Sequence, residues 1–423
     1  MSSGQPVNSG SREAGRSEDG VLLTGATGFV GSQLLIRYLE RTNRRVYVLV
    51  RGASARAVTD RLRRMLTSML GENHPYEQRV VAVRADLTCA DLGLRARRRD
   101  ALAERVCEIV HGAASVSFTT PAPVVHAINV EGTQRMLELA EHCQARGGLR
   151  RFTYISTAYV AGEHAGRFSE DDLDVGQAFR NAYERSKFEA ELLVAYWRTR
   201  LPITVTRPSI IVGERDTGWT SSFNVLYWPL RAFSRGAYLA VPARGRAPVD
   251  VVSVDYVADA IFALSQAPEA VGATFHLTAG RHTSSVGELV QMASAFFERP
   301  APRLIDPALY RQLVHPLLVR ASRDERYRRA LLRSEVFFPY FAARVRYDDR
   351  RTRAVLHATG IQPSPLGDYF HRLVEFALLA DWGKRQIQRT DVLAPLSRAG
   401  KRPARRARAT TARTSRVPLV QAR

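Results

Sequence analysis

A glycine-rich turn near the start of the chain constrains its fold more than any other feature. The apolar run 21–23 leads into Thr24-Gly25-Ala26-Thr27-Gly28-Phe29-Val30-Gly31, and residues 32–36 continue as a helix-forming segment. Glycines allow a sharp turn and a close approach of the backbone to a ligand. The N-terminus of the following helix presents free N–H groups and the positive end of its dipole. A strand, a tight turn and a helix in this order predict a cradle for a pyrophosphate.

A second strand extends this pattern into a βαβ unit. Residues 45–50 form a buried strand-like run after the helix, at the distance expected of a dinucleotide-binding unit. The glycine spacing is G-x-x-G-x-x-G and differs from the commoner G-x-G-x-x-G, so the prediction depends on the βαβ context. The residues predicted to hold the dinucleotide are Thr24, Gly25, Thr27, Gly28, Phe29, Val30 and Gly31.

The end of the second strand predicts which dinucleotide is bound. An acidic residue there would accept a hydrogen bond from the ribose 2′-hydroxyl of NAD, but the strand ends in Val50-Arg51-Gly52 without a carboxylate. Arg51, with Arg56 or Arg61, is instead suited to pair with a 2′-phosphate. We therefore predict NADPH rather than NADH. The alternative is that Arg51 is an ordinary surface residue, because arginine is the usual cation of this chain.

Strand-like and helical segments alternate along the first half of the chain. Apolar strand-like runs occupy 79–85, 108–111, 151–156 and 203–207, and a helical segment occupies 131–143. This alternation predicts the α/β class, a doubly wound Rossmann sheet of parallel strands with helices on both faces. Ligands bind beyond the carboxyl ends of the strands in such sheets.

Residues at the strand ends are therefore candidate ligands. Asp86 and Leu87 follow the third strand, where a carboxylate can accept from an adenine amine. Small residues at 112–114 follow the fourth strand and would let a cofactor lie against the backbone. Ser156 and Thr157 follow the fifth, where a hydroxyl can donate to a substrate carbonyl oxygen that gains negative charge.

A tyrosine and a lysine lie four residues apart in a helix-forming segment. The chain has only three lysines, and the first, Lys187, follows Tyr183 within 181–196, which is rich in Ala, Glu and Leu. Two such side chains share one face of a helix. The ammonium group would lower the pKa of Tyr183 by favouring the phenolate, which predicts proton transfer by Tyr183 near neutral pH. A solvated helix with an isolated lysine is the alternative for this pair taken alone.

The chain resembles the extended short-chain dehydrogenase/reductase family. The matching elements in chain order are the turn 24–31, Asp86-Leu87, His111-Gly112-Ala113-Ala114, Asn129-Val130-Glu131-Gly132-Thr133, Ser156-Thr157, the Tyr183/Lys187 pair and Arg207-Pro208-Ser209-Ile210-Ile211-Val212-Gly213. The resemblance implies catalytic roles for Tyr183, Lys187, Thr157 and Asn129. It also implies cofactor contacts for Arg51, Arg61, Asp86, Leu87, Ala113, Lys187, Pro208 and Ile210.

Within that family, segments 46–52, 111–118 and 249–257 are similar to those of thioester reductase domains and fatty acyl-CoA reductases. This similarity implies NADPH-dependent reduction of an acyl thioester, carried by coenzyme A or by an acyl carrier protein, to an aldehyde or alcohol. A sugar-nucleotide or sterol-type dehydrogenase or epimerase on the same fold is the second interpretation. A non-catalytic binding protein that senses a dinucleotide is the third.

Composition along the chain predicts its organisation. Residues 1–19 are predicted to be a disordered arm, and residues 396–423 are predicted to be a basic disordered tail. Residues 20–212 are predicted to form a dinucleotide-binding domain, and the later segment 255–280 is predicted to belong to the same domain. Residues 213–254 and 281–395 are predicted to form a smaller, mainly helical substrate domain, with helices at 285–297, 307–332 and 366–382. Its aromatic segment 213–247 is predicted to contact the acyl chain, with an ordinary hydrophobic core as the alternative.

The formal net charge of +21 is partly a property of the C-terminal tail. Residues 398–423 hold nine Lys or Arg and no acidic residue, a composition that can contact any anionic surface without specificity. No nucleic-acid motif accompanies the tail, so we predict no specific nucleic-acid partner. The arginine-dense stretch 320–333 is suited to an acidic carrier protein or a coenzyme A phosphate, or is a solvated face.

Cysteine usage and hydropathy indicate a cytoplasmic protein. Cys89, Cys107 and Cys143 have neither metal-ligand nor redox spacing, which predicts reduced, buried thiols and no metal site. The N-terminus lacks the apolar core of a secretory signal. No uncharged stretch has the composition of a membrane-spanning helix, so we predict none. The oligomeric state stays open.

Overall fold

A seven-stranded parallel sheet forms the centre of the protein. A computed structural model describes residues 20–223, 225–236, 238, 240–321, 325, 328 and 335–393. The strands are β1 (Gly20–Thr24), β2 (Val46–Val50), β3 (Val80–Arg84), β4 (Val106–His111), β5 (Arg151–Ile155), β6 (Ile203–Pro208) and β7 (Thr274–Leu277). Their spatial order is β3-β2-β1-β4-β5-β6-β7. The order reverses between β1 and β4, which is where ligands bind in doubly wound sheets.

Helices cover both faces of the sheet. They are α1 (Phe29–Arg41), α2 (Ala55–Leu70), α3 (Ala96–Ala103), α4 (Gly132–Gly147), α5 (Ala182–Trp197) and α6 (Val254–Gln266). Helices α1, α2 and α6 pack on one face, and α3, α4 and α5 pack on the other. Strand side chains alternate between the two cores: Val21 and Leu23 of β1 face α1, whereas Leu22 faces α4. The predicted fold class is confirmed.

The predicted element boundaries agree with the structure to within about two residues for most strands. The predicted helix 181–196 is α5, and the Asn181 side chain caps it by accepting from Glu184 N. The observed helix that corresponds to the predicted helix 131–143 is longer than predicted. It starts as Ala122–His126, passes through a π-helical turn at Ala127–Glu131 and continues as α4.

The remaining part of the chain contains both helices and short strands. Its helices are Tyr227–Ser234, Val286–Phe297, Pro307–Leu309, His315–Ala321, Arg350–Leu356 and Phe370–Leu379, with a π-helical turn at Tyr310–Val314. Four two-stranded pairs accompany them: Ile210–Val212 with Val251–Ser253, Ala240–Pro242 with Arg303–Ile305, Pro248–Val249 with Ser284–Ser285, and Ala165–Phe168 with Arg344–Tyr347. Short 3₁₀ turns lie at Glu77–Arg79, Ala90–Gly93, Ala158–Ala161, Pro268–Ala270, Gly280–His282, Glu335–Ala342, His357–Thr359, Leu366–Asp368 and Asp381–Gly383.

Several expectations concern residues that the structure does not describe. The arm 1–19, the tail 396–423 and most of the arginine-dense stretch 320–333 lie outside the described residues. Within the described part, no helix has the length and apolar character needed to cross a membrane. No group of potential metal ligands occurs there either. Burial was predicted for all three cysteines, but only Cys107 and Cys143 are buried and Cys89 is exposed, because it lies in a surface turn after β3.

Candidate active site

A cleft of about 740 Å³ lies beyond the carboxyl ends of β1 to β5. It brings together residues that are far apart in sequence. Of the predicted site residues, those lining the cleft are Thr24, Gly25, Thr27, Gly28, Phe29, Val30, Gly31, Arg51, Arg61, Asp86, Leu87, Ala113, Thr157, Tyr183 and Ile210. The three predicted residues that do not line it are Asn129, Lys187 and Pro208.

The glycine turn fits the pyrophosphate of a dinucleotide. Gly25 has φ +77°, and a Cβ there would lie 2.8 Å from Ala113 N. A Cβ on Gly31 would lie 2.6 Å from the Gly25 carbonyl carbon and closer still to its oxygen, so α1 can pack against the turn only with glycine at this position. Helix α1 begins with no side-chain cap and no acidic residue in its first turn, which leaves its N–H groups and positive dipole end available.

Thr24 joins the glycine turn to the end of β4. Its Oγ1 accepts from Gly112 N at 3.1 Å and from Ala113 N at 3.0 Å, and it lies 2.7 Å from His111 Nδ1. Because both N–H groups point at the same oxygen, the Thr24 proton is directed to His111 Nδ1. Burial, together with the charge of Lys187, lowers the pKa of His111 to about 3, so the imidazole is neutral and can accept this bond.

The same imidazole extends the connection to α4. With Nδ1 as the acceptor, His111 Nε2 carries the proton and donates to Thr133 Oγ1 at 3.2 Å. Thr133 in turn donates to the Asn129 carbonyl oxygen at 2.6 Å. The sequence placed His111 in a motif but gave it no role. The structure shows that His111 fixes the floor of the cleft by connecting three elements.

Two arginines and one carboxylate line the β2–β3 end of the cleft. Arg61 on α2 donates to the Arg51 carbonyl oxygen at 3.4 Å, which places both residues at the end of β2. Asp86 accepts from Thr88 N at 2.9 Å and from Thr88 Oγ1 at 2.8 Å. Burial raises the pKa of Asp86, but these bonds and the Arg51 charge bring it below the usual value, so it is ionised. Arg56 has a side chain that is 93% exposed and does not line the cleft.

Tyr183 and Thr157 meet at the β5 side of the cleft. Burial raises the pKa of Tyr183 to about 12, the hydrogen bond with Thr157 opposes this rise, and the Glu184 charge adds to it. The predicted lowering of the Tyr183 pKa by Lys187 is therefore wrong, because the loss of solvent around the phenol dominates. A phenol with this pKa is protonated at neutral pH and can serve as a proton donor. Ser156 points elsewhere and donates to the buried Glu191.

Lys187 lies behind Tyr183 rather than in the cleft. Its Nζ donates to Tyr154 Oη at 2.7 Å and to the Ile155 carbonyl oxygen at 2.9 Å, and it lies 4.2 Å from the centre of the Tyr154 ring. The residue is only 3% exposed. Burial lowers its pKa to about 7, although the nearby Glu191 charge raises it.

The low pKa of Lys187 predicts a pH dependence of stability. The folded value of about 7 lies below the usual 10.5, so the unfolded chain binds more protons than the folded chain between these two pH values. The contribution of Lys187 to the free energy of unfolding therefore rises with pH across this window, by at most about 1.4 kcal/mol per pH unit, and is lowest below pH 7. Chemical denaturation of the wild type and of Lys187→Met at several pH values measures this slope. Equal slopes in the two proteins would contradict the assignment.

Asn129 supports the site from outside the cleft. Its Nδ2 donates to the Ser115 carbonyl oxygen at 3.0 Å and to Ser186 Oγ at 2.9 Å, and its Oδ1 accepts from Ser115 N at 2.7 Å. Ser186 Oγ donates to the Tyr183 carbonyl oxygen at 2.8 Å. Asn129 thus holds the loop after β4 against the first turn of α5. Pro208, like Asn129, contacts a residue of the cleft without lining the cleft itself. Its carbonyl oxygen accepts a hydrogen bond from Thr157 Oγ1 at 3.4 Å.

A second, mainly apolar cavity adjoins the cleft. This chamber has a volume of about 110 Å³ and shares Tyr159, Ser209, Ile210 and Val225 with the cleft. Leu226, Pro229, Leu230, Phe233, Tyr238, Val241, Val286, Leu289, Val290, Ala293, Tyr340, Phe341, Val345 and Tyr347 are among its other lining residues. The chamber provides an almost wholly apolar extension to a cleft whose lining mixes polar and apolar residues.

The aromatic segment 213–247 divides between the chamber and the core. Phe233 and Tyr238 line the chamber, and contact of this segment with an acyl chain stays a prediction. Trp219 and Tyr227 are buried in hydrophobic cores, and Trp228 is 45% exposed. Residues 340–347 also line the chamber. The sequence placed them in the predicted substrate domain but did not single them out, because that segment carries no motif.

Aromatic rings separate the cleft from the chamber. Phe118 stacks on Tyr340 with 5.4 Å between ring centres and lies 5.8 Å from the Tyr183 ring. Tyr159 lies 5.1 Å from Tyr340. We call these four residues the aromatic neck. Tyr340 Oη donates to Glu184 at 2.6 Å, next to Tyr183, so a residue from the C-terminal part of the chain is fixed against the start of α5.

Fold and site together define a nicotinamide-dinucleotide-dependent oxidoreductase of the extended short-chain dehydrogenase/reductase type. Residues 23–261 match the NAD-binding family model described as male sterility protein, and the chain belongs to this family. The family resemblance found in the sequence is thereby confirmed.

Individual relatives are reductases of larger size. The chain is 32% identical over 277 residues to a carboxylic acid reductase of Segniliparus rugosus, covering 58% of this chain and 23% of that protein. It is 28% identical over 275 residues to fatty acyl-CoA reductase 1 of Mus musculus, covering 56% of this chain and 52% of that protein. The chain therefore spans about half or less of these relatives.

Among solved structures, the terminal R domain from the myxalamid PKS-NRPS biosynthetic pathway is similar over nearly the whole chain. The TM-score is 0.75 at 28% sequence identity, with 87% of this chain and 92% of that domain covered. The similarity extends beyond the dinucleotide-binding sheet, because the coverage exceeds the 23–261 range of the family model.

Proposed function

We propose that the protein reduces acyl thioesters with NADPH, releasing an aldehyde or, after a second reduction, an alcohol. The observation that carries the proposal is the apolar chamber that opens off the cleft next to Tyr183 and Thr157. A hydrocarbon chain suits such a lining, whereas a sugar needs many polar partners. The names of the reductase relatives support the same class of reaction.

The residues of the cleft fit the parts of NADPH. The glycine turn and the start of α1 suit the pyrophosphate, Asp86 suits the adenine amine, and Arg51 with Arg61 suits the 2′-phosphate. The bound nicotinamide would supply the hydride. The absence of a carboxylate at the end of β2 favours NADPH over NADH.

The protein's own groups would stabilise the reaction at the carbonyl oxygen. Thr157 and Tyr183 are hydroxyl donors on the same side of the cleft. Both can donate to an oxygen that gains negative charge once the Thr157 hydroxyl turns from its long 3.4 Å bond to the Pro208 carbonyl oxygen. Tyr183 then transfers its proton to this oxygen. Lys187, next to the carbonyl oxygen of Ile155, stabilises charge behind the tyrosine, and the aromatic neck keeps water from the reacting carbon.

A spectrophotometric assay with NADPH and a panel of acyl-CoA thioesters tests the proposal. We expect oxidation of NADPH that depends on the thioester and releases free coenzyme A. Turnover of nucleotide sugars without turnover of thioesters would favour a dehydrogenase or epimerase instead. Cofactor binding without turnover of any carbonyl compound would favour a binding protein.

The same assay tests the cofactor preference. We expect kcat/KM to be higher with NADPH than with NADH, and this ratio to fall about tenfold or more in Arg51→Ala, because a charge-assisted bond to phosphate is lost. Arg56→Ala is the matched control, since Arg56 is exposed, pairs with Asp60 and does not line the cleft. An unchanged ratio in Arg51→Ala would contradict the role of Arg51.

A further inference from the structure

Tyr159 lies where the cleft meets the chamber. It follows Thr157 by two residues in the turn Ala158–Ala161, and its backbone N–H donates to Thr157 Oγ1 at 3.3 Å. It is one of four residues that line both cavities. An acyl chain that runs from Thr157 and Tyr183 into the chamber would pass between these four residues, and Tyr159 is the one nearest to Thr157 in the sequence. The part of the chain at this point is the part next to the reacting carbonyl, not the distal tail.

The hydroxyl of Tyr159 has no hydrogen-bond partner among the described residues. The oxygen is shielded from solvent, and no described donor or acceptor lies within bonding distance. Burial also keeps the pKa of Tyr159 well above its usual value, so the group remains a protonated donor. Buried tyrosine hydroxyls in folded proteins ordinarily have a partner, because leaving one unpaired is unfavourable. An unpaired hydroxyl at the junction of two cavities indicates a partner on the ligand.

The other polar groups around the neck are already engaged. Tyr340 Oη donates to Glu184 and accepts from Asn181 Nδ2 at 2.8 Å. Thr157 Oγ1 donates to Pro208 and belongs to the reacting centre. Phe118 has no polar atom in its side chain. Tyr183 Oη is hydrogen-bonded to Thr157 and belongs to the reacting centre. Among the described residues of the neck, the hydroxyl without a partner is therefore that of Tyr159. Ser209, outside the neck, also lines both cavities and also has a buried hydroxyl without a partner.

We propose that Tyr159 binds an oxygen carried by the acyl chain close to the thioester, so that 3-hydroxyacyl thioesters are preferred over unsubstituted acyl thioesters. The inference rests on the proposed function and specifies its substrate class. A hydroxyl on the third carbon lies beyond the carbonyl held by Thr157 and Tyr183 but before the apolar chamber. An unsubstituted chain leaves the Tyr159 hydroxyl unpaired, and the difference in transition-state binding appears in kcat/KM.

The test compares octanoyl-CoA with 3-hydroxyoctanoyl-CoA, using NADPH and the full-length protein. For the wild type we expect kcat/KM to be about tenfold higher with the 3-hydroxy substrate. In Tyr159→Phe this ratio should fall to near one. Tyr369→Phe is the matched control, because Tyr369 also has a buried hydroxyl without a partner but lines neither cavity. Tyr369→Phe should keep the wild-type ratio.

The outcomes separate this inference from the proposed function. Reduction of octanoyl-CoA with no preference for the 3-hydroxy substrate would overturn the role of Tyr159 and leave the proposed function standing. A preference that survives in Tyr159→Phe would also overturn it. Reduction of neither thioester would overturn the proposed function and this inference with it. Thermal unfolding should give similar Tm values for wild type and Tyr159→Phe, because the substitution removes an oxygen without a protein partner.

Discussion

Substitution of Tyr183 by phenylalanine should lower kcat about a thousandfold while leaving NADPH binding nearly unchanged. The size of the effect is that expected when a positioned proton donor is removed. Tyr183 lines the cleft beside Thr157, and its raised pKa keeps the proton on the phenol at neutral pH. The phenylalanine ring retains the packing against Phe118, so the shape of the neck is preserved.

Steady-state kinetics with an acyl-CoA substrate measure the loss, and fluorescence titration measures the affinity for NADPH. Tyr196→Phe is the matched control, because Tyr196 lies on the same helix, is 64% exposed and does not line the cleft. This control should retain full activity. Activity of Tyr183→Phe within tenfold of the wild type would show that another group supplies the proton.

Substitution of Gly31 by alanine should weaken NADPH binding about a hundredfold and lower stability by about 1–3 kcal/mol. The added methyl group would overlap the carbonyl group of Gly25 and would lie 2.9 Å from Ala26 Cα. These are backbone atoms of the turn itself, so they cannot rotate away as a side chain would. Relief of the overlap requires α1 to move away from the glycine turn, and the pyrophosphate cradle is lost with it.

Equilibrium titration with NADPH and thermal unfolding measure the two effects. Gly367→Ala is the control, since the nearest heavy atom to its added Cβ is Met292 Sδ at 4.0 Å. This variant should match the wild type in affinity and lie close to it in stability. Wild-type affinity in Gly31→Ala would mean that the cradle tolerates a wider turn, and the pyrophosphate would have to be assigned to another part of the cleft.

Local patterns predicted the parallel sheet, which is confirmed, and the glycine turn that is proposed as the cradle. Gly31 meets atoms of Gly25 and Ala26, so its need for a small residue follows from the turn itself, whereas Gly25 meets Gly112 and Ala113 after β4. Strands β1 and β2 are buried on both faces throughout, so they appear in the sequence as nearly continuous apolar runs. Such features depend on neighbouring residues, and the sequence contains them directly.

The charge states of Tyr183 and Lys187, the proposed catalytic pair, show the limit of the same reasoning. The four-residue spacing predicted that Tyr183 and Lys187 lie one helical turn apart, and both residues are in helix α5. The interaction of Lys187 with Tyr154 and Ile155, and the burial that raises the Tyr183 pKa, depend on β5 packing against α5. A pKa depends on solvent access and on all nearby charges, so four-residue spacing could not predict its direction.

Periodicity, glycine spacing and residue type are local properties, so the parallel α/β sheet, the glycine turn and the candidate proton donor could be predicted from the sequence. The residues of the chamber and of the aromatic neck became known only from the three-dimensional packing. Tyr159 and Tyr340 are 181 residues apart in the sequence. Their rings meet because the C-terminal part of the chain packs against α5. Contacts of this kind arise because burial of apolar surface joins distant segments, and no short-range pattern records which segments will meet.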